Sequence, residues 1–128
     1  MSRETVTSGT EWESYVGYSR AMAVDGHVHV SGTTAVDDDG DVVGETPYEQ
    51  TRAALDIVEG ALGEVGAELA DVVRTRMYVT DIDDYDEVGR AHGEVFGDVR
   101  PAATMVEVNR LVDDDLCVEV EATAVVPD

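Results

Sequence analysis

The stretch RPAATMVEV, Arg100 to Val108, decides how the rest of the chain is interpreted. The chain enters it through Pro101, and two alanines then lead into a run in which large and small side chains alternate. Alternation with a period of two is typical of a β-strand whose faces meet different surroundings. We therefore predict a strand here, which is either the wall of a ligand site or an ordinary core strand.

Extended and helical patterns alternate on the N-terminal side of this strand. Residues 17–36 (GYSRAMAVDGHVHVSGTTAV) indicate two strands joined by Asp25-Gly26, a strong hairpin signal. Within residues 46–67, Thr46 is predicted to cap a helix that has Pro47 at its first position, Glu49 in a capping box and Gly66 at its end. The predicted buried stripe of this helix comprises Ala54, Ile57, Val58, Ala61, Leu62 and Val65.

Further strands and a shorter helix complete the pattern. Residues 71–81 (DVVRTRMYVTD) and 116–126 (LCVEVEATAVV) are predicted strands, and residues 84–98 a helix that starts near Asp83 or Asp84 and ends at Gly97. The order is two strands, helix, strand, helix, two strands. It predicts one α+β domain over residues 1–128, a mixed sheet with two helices on one face.

Strand alternation also predicts which side chains lie under the helices. The helix-facing set is Val28, Val30, Thr75, Met77, Val79, Val106, Val108, Val118, Val120 and Ala122. The opposite set is Tyr18, Arg20, His29, Arg74, Arg76, Tyr78, Met105, Glu107, Cys117, Glu119 and Glu121. Because this second set combines Met and Tyr with paired charges, we predict that it forms an oligomer interface.

The charge balance limits the classes of function. The net charge is −21, from 29 acidic and 8 basic side chains, and every basic side chain is an arginine. Such a surface repels itself unless salt screens it, which predicts a salt-adapted, halophilic protein. Nucleic acid is not expected as a partner, because phosphates need a basic track. The absence of lysine excludes Schiff-base chemistry at a lysine.

Other features point to an intracellular protein without a metal or cofactor. There is no apolar run of membrane-spanning length and no signal peptide pattern, so we expect no membrane association and a cytoplasmic location. Cys117 is the single cysteine and is interpreted as a packing residue. His27 and His29 are interpreted as an edge-strand surface pair rather than metal ligands, and the loop Asp37–Asp41 lacks the glutamate of a calcium loop.

Three stretches together resemble a known family. They are GYSRA (residues 17–21), VSGTTA (residues 30–35) and RPAATMVEVNRL followed by VEVEATAV, and they are similar to the Rid family, formerly called the L-PSP or translation-inhibitor family. The resemblance implies a chorismate-mutase-like fold assembled as a homotrimer, with a small-molecule cleft between subunits. It also implies an activity, because the best-known branch hydrolyses 2-imino or 2-enamino acids to 2-oxo acids and ammonia.

The resemblance assigns roles to individual residues. Glu119 corresponds to the glutamate that positions the hydrolytic water, Tyr18 to the tyrosine of the first strand and Gly32 to the glycine of the second. The arginine that binds the substrate carboxylate is replaced by Ala103, which cannot make a bidentate contact. The family's asparagine is replaced by Gly89.

The remaining candidates complete the predicted site. His92 stands in place of an aromatic residue, and Met105 is assigned to the same cleft. Arg76 or Arg20 could supply the missing positive charge, although an interface salt bridge is the alternative for each. Packing alternatives also stay open for Glu119, which could pair with an interface arginine, for Tyr18, and for His92, whose functional role would be proton transfer.

Three functions follow from these assignments. The first is an imine or enamine deaminase, or a related hydrolase with an altered substrate. The second is a non-catalytic module that binds a small metabolite, which the loss of the arginine at position 103 favours. Ribonuclease activity is the third, and the acidic surface argues against it.

Overall fold

The computed structural model describes residues 2–127, which form a six-stranded mixed sheet and three helices. The strands are β1 (Arg3–Val6), β2 (Ala21–Val24), β3 (His27–Thr33), β4 (Val72–Val79), β5 (Ala102–Glu107) and β6 (Val118–Val125). The helices are α1 (Glu11–Val16), α2 (Pro47–Glu64) and α3 (Tyr85–Phe96). The strand order is β1-β2-β3-β6-β4-β5; β4 and β5 are parallel and the other neighbours antiparallel. This confirms the predicted α+β class.

The locally encoded elements were predicted correctly. Asp25 and Gly26 have φ of 51° and 80°, the backbone that a two-residue hairpin of this type requires. Thr46 and Glu49 form the complete capping box of α2. The helix ends two residues before Gly66, whose φ is 80°.

Two elements are missing from the sequence prediction. Strand β1 is four residues long and mostly exposed, so its side chains show no apolar alternation. Helix α1 has six residues, with Thr10 as N-cap and Gly17 in the left-handed region at its end. A threonine three residues before Glu13 and a following glycine were available as signals for α1.

The core lies between the sheet and the two longer helices. Helix α2 packs over β3 and β6 and against α3. The predicted helical stripe is buried except at Ile57 and Val65, which are half-buried, and Leu55, which was not assigned to it, is 1% exposed. No helix among residues 2–127 combines the length and the apolar character needed to cross a bilayer.

The side chains of β5 lie on the opposite faces of the sheet from those predicted. Met105 is in register with Met77, which is buried, whereas Val106 is in register with Tyr78 and is 43% exposed. Because residues in register on neighbouring strands project to the same face, Ala103 and Met105 lie on the helix-covered side. Val108, assigned to the helix-covered face as a strand residue, lies beyond the end of β5. The cause is that β5 is an edge strand, so neither of its faces is fully buried.

The opposite side of the sheet is not covered by α2 or α3, and we call it the open face. It carries Met22, His29, Arg74, Arg76, Tyr78, Thr104, Val106, Glu119, Glu121 and Thr123. Most of the set predicted for this face is therefore present there. His27 and His29 do not belong to an edge strand, however, because β3 pairs with both β2 and β6.

Candidate functional site

Four of the candidate residues come together where β3 is irregular. The pairing of β3 with β6 shifts between Val30 and Thr33, and this bulge places Gly32 against the Glu119 carboxylate. A Cβ at position 32 would overlap Glu119 Oε2, so only glycine lets the two residues approach. Arg20 Nη2 donates a hydrogen bond to the Gly32 carbonyl oxygen at 2.5 Å, and its guanidinium carbon lies 5.9 Å from the centre of the Tyr18 ring. We call these residues the Glu119 cluster.

The surroundings of Glu119 raise the pKa of its carboxyl. Burial raises the pKa of its carboxyl above the ordinary value, Arg20 lowers it and Glu121 raises it, and the net direction is upward. Glu121 accepts a hydrogen bond from the Tyr78 hydroxyl, which raises the pKa of Tyr78. A carboxyl with a raised pKa, next to a cation, has the properties of a group that exchanges protons with a bound molecule.

We expect Glu119→Gln to stabilise the fold at neutral pH. The folded-state pKa of Glu119 is raised, so the stability that this residue contributes is fully present below its unfolded value, near 4.5, and is lost as the pH rises through the folded value. Removing the charge should therefore raise the unfolding temperature by a few degrees at pH 7. The gain should shrink towards zero at pH 4. Thermal unfolding followed by circular dichroism across this range measures it.

Glu13→Gln is the matched control, because its effect has the opposite sign. Glu13 is 4% exposed; burial would raise its pKa, but hydrogen bonds from Ser8 and Thr7 outweigh burial and lower it. Its contribution is present above the unfolded pKa and is lost as the pH falls through the folded one. Glu13→Gln should therefore destabilise the protein at pH 7 and lose that effect in acid. Equal behaviour of the two variants would contradict the description of Glu119.

A second group of candidates lies on the other side of the sheet. His92 on α3 and the buried Thr75 on β4 share a hydrogen bond of 2.8 Å between Nε2 and Oγ1. The His92 ring packs 4.7 Å from that of Phe96, and burial lowers the pKa of the imidazole. Ala103 is the register partner of Thr75 and is exposed. We call His92, Thr75, Ala103 and Met105 the His92 group.

Within one chain the two groups do not form a single site. The Glu119 cluster borders the open face, whereas the His92 group is on the helix-covered face. Gly89 is exposed one turn before His92, and a Cβ added there would meet no atom within 4 Å. The assigned site residues therefore need a second copy of the chain, or act separately.

The open face carries a groove that the sequence did not reveal. It has a volume of about 370 Å³ and is lined in part by Tyr18, Ser19, Ser31 and Glu121. Ser31 Oγ donates a hydrogen bond to the Ser19 carbonyl oxygen at 2.6 Å, which joins the start of β2 to β3. A serine on each side of a strand pair gives no sequence signal, so only the fold identifies the groove.

The other candidates have structural explanations. Cys117 does not project to the open face; it precedes β6, and its thiol donates to Gln50 Oε1 at 3.2 Å. Burial raises its pKa to about 11, so the thiol is unreactive. The carboxylates of Asp37, Asp39 and Asp41 lie within 4.8 Å of one another in an exposed turn, where Asp37 Oδ1 accepts the backbone N–H groups of the other two.

Comparisons with known proteins agree over nearly the whole chain. Residues 9–126 match the family model described as Endoribonuclease L-PSP. A crystal structure of a YjgF/YER057c/UK114 family member from Mycobacterium tuberculosis is 51% identical, with a TM-score of 0.90 over 98% of this chain and 100% of that one. An uncharacterized protein of Streptomyces coelicolor is 42% identical over 121 residues, 93% of this chain and 89% of its own. The 3-aminoacrylate deaminase RutC of Acinetobacter baylyi is 33% identical over 109 residues, 84% of this chain and 85% of its own.

Proposed function

The chain belongs to the endoribonuclease L-PSP family, also called the Rid family, and from this membership we propose that it is an imine or enamine hydrolase. The observation that carries the proposal is the Glu119 cluster, in which a half-buried carboxyl with a raised pKa lies against Gly32 and near a cation. The similarity to a 3-aminoacrylate deaminase supports the same class of reaction.

The proposed reaction needs one acid–base group and a water molecule. Ionised Glu119 takes one proton from water as the water oxygen bonds to C2 of the imine and the C=N electron pair moves to nitrogen, and Glu119 then gives this proton to that nitrogen. Glu119 then takes the hydroxyl proton of the carbinolamine and passes it to the amine nitrogen, which leaves as ammonia while the C–N bond breaks and C2 becomes a carbonyl. One imine and one water thus give one 2-oxo acid and one ammonia. Tyr18 and Gly32 shape the site around Glu119.

We further propose that the protein is a homotrimer in which the open faces pack together. Arg74 and Arg76 on that face have no carboxylate within 4.0 Å in residues 2–127, and Arg74 Nε is buried without a hydrogen-bond partner. Side chains of a neighbouring copy would satisfy them. The assembly would bring the His92 group of one chain to the Glu119 cluster of the next.

A non-catalytic metabolite-binding module is the second candidate, and Ala103 favours it. An alanine offers no charge to a substrate carboxylate, so the affinity for 2-imino acids would be low unless another cation replaces the arginine. Ribonuclease activity, which the family description names, is opposed by the charge of −21.

Salt adaptation is a further part of the proposal and gives a direct prediction. Within residues 2–127, ion pairs shorter than 4.0 Å join Arg52 to Glu94 and Arg110 to Asp114, so few of the acidic side chains are neutralised locally. Raising KCl from 0.1 M to 2 M shortens the screening length from about 10 Å to below about 3 Å. The unfolding temperature should rise by at least about 4 °C, equivalent to roughly 1 kcal/mol. An unchanged or lower unfolding temperature would contradict salt adaptation.

The hydrolase proposal is tested by turnover in molar salt. The purified protein is given 2-iminobutanoate or 2-aminoacrylate, generated in place by a dehydratase, and release of the 2-oxo acid is followed against the uncatalysed rate. Sedimentation velocity on the same sample measures the oligomeric state. Faster release by a trimer supports the proposal, whereas a trimer that does not accelerate release supports the binding module.

A further inference from the structure

Arg20 is a half-buried cation at the candidate site, and within residues 2–127 no carboxylate oxygen lies within 4.0 Å of its guanidinium nitrogens. The ion pairs within 4.0 Å in residues 2–127 involve Arg52 and Arg110, not Arg20. One donor of its guanidinium is used by the Gly32 carbonyl oxygen, which fixes the group beside the bulge of β3. An arginine has five N–H donors in a planar fork that suits a carboxylate, so donors remain for an anionic ligand.

Residues that adjoin Arg20 line the groove, and its guanidinium and the Glu119 carboxylate both approach Gly32. The backbone N–H of Ser31 donates to the Arg20 carbonyl oxygen at 3.0 Å, and the Tyr18 ring lies 5.9 Å from the guanidinium carbon. Tyr18 and Ser31 both line the groove of about 370 Å³. Arg20 Nε is buried and has no hydrogen-bond partner within residues 2–127, so this donor is unsatisfied in the single chain.

Arg76, the other candidate cation, is placed differently. It is exposed on β4 in register with Glu121, and Tyr78 rather than Arg76 is in register with Glu119. Its charge acts on the pKa of Tyr78, whereas the cation that acts on the pKa of Glu119 is Arg20. The charge of Arg20 therefore acts more strongly than that of Arg76 on a substrate whose C2 is near Glu119.

We propose that Arg20 binds the substrate carboxylate in this site and replaces the arginine that is absent at position 103. The substrate class is consequently still a 2-imino or 2-oxo acid, held from the β2–β3 side of the cleft rather than from β5. The chemical step in this assignment rests on the proposed hydrolase function. The binding step does not, and it can be tested without turnover.

The test is a titration with 2-oxobutanoate and with its uncharged amide, 2-oxobutanamide, by calorimetry at the lowest salt in which the parent stays folded. Arg20→Gln should weaken binding of 2-oxobutanoate by about ten- to a hundredfold, because a charge-assisted contact is lost, and leave the amide unchanged. Arg20→Lys, which retains the charge without the fork, should be intermediate. Arg3→Gln, at the far end of β1, removes an equal charge and should behave like the parent.

The outcomes separate this assignment from the hydrolase proposal. If binding depends on Arg20 but the protein does not release 2-oxo acid, the assignment of Arg20 is supported and the hydrolase proposal is refuted. The assignment is overturned if Arg20→Gln binds 2-oxobutanoate as well as the parent does, if Arg76→Gln has the larger effect, or if the parent does not prefer the acid to the amide. If Arg20→Gln does not reproduce the parent's circular dichroism spectrum, Arg20→Lys takes its place in the test. A smaller preference of Arg20→Lys for 2-oxobutanoate over the amide then supports the assignment, and an unchanged preference overturns it.

Discussion

Glu119→Gln is expected to lower kcat for hydrolysis of 2-iminobutanoate by at least about a hundredfold, the usual contribution of a positioned acid–base group. Glutamine has nearly the same shape and still fits against Gly32, but it cannot take a proton from water. KM should change little, because the amide makes no new contact with the substrate carboxylate. The measurement is steady-state release of the 2-oxo acid by parent and variant under the same salt conditions.

Glu121→Gln is the control for this experiment. Glu121 is two residues further along β6 on the same face and is bonded to the Tyr78 hydroxyl rather than packed against Gly32. Its replacement removes the same charge but not the proposed base. If Glu121→Gln loses as much activity as Glu119→Gln, charge on the open face rather than proton transfer controls the rate. Undiminished turnover by Glu119→Gln would remove Glu119 from the mechanism.

Combining this result with the stability measurement gives a stricter test. A base that is kept partly buried costs stability when it is ionised, so the variant that loses turnover should also unfold at a higher temperature at pH 7. If Glu119 had only a structural role, its replacement would lower the unfolding temperature of the protein. A lower kcat together with a higher unfolding temperature at pH 7 is therefore expected only if the carboxyl serves the reaction.

The parts of the fold that could be predicted are those determined by neighbouring residues. The capping box at Thr46 and the turn at Asp25-Gly26 depend on four residues or fewer, and both were correct. Strand β1 was missed because its pairing with β2 is non-local and its side chains are mostly exposed. The side chains of β5 were assigned to the wrong faces of the sheet for a related reason. Which of them lie under the helices is set by the register with β4, and apolar side chains occur at both odd and even positions of β5.

The candidate site was predictable as a set of residues but not as an arrangement. The resemblance identified Glu119, Gly32 and Tyr18, yet the contact of Gly32 with Glu119 depends on a bulge that no motif encodes. The separation of Ala103 from Glu119 followed only from the register of β5. The stretch RPAATMVEV is not an ordinary core strand, because Ala102, Ala103 and Thr104 are all exposed.

Ala103→Arg is expected to lower KM for 2-imino acids by about ten- to a hundredfold, with little change in kcat. Position 103 is exposed on an edge strand and faces the side that carries His92, so a longer side chain fits without disturbing the core. Ala103→Leu adds bulk without charge and should not lower KM. Parallel kinetics of the three proteins, with an uncharged imine as second substrate, measure the effect of charge alone.

The double variant Arg20→Gln/Ala103→Arg shows whether the two cations serve the same carboxylate. If both cations serve one carboxylate, Arg20→Gln raises KM in the parent but should change it little once Ala103→Arg is present, so that the double variant has the KM of Ala103→Arg alone and the two changes are not additive. Simple additivity would mean that the two positions act on different groups of the substrate. If Ala103→Arg leaves KM unchanged in both backgrounds, β5 does not line the cleft, and the trimeric arrangement that joins the His92 group to the Glu119 cluster is wrong.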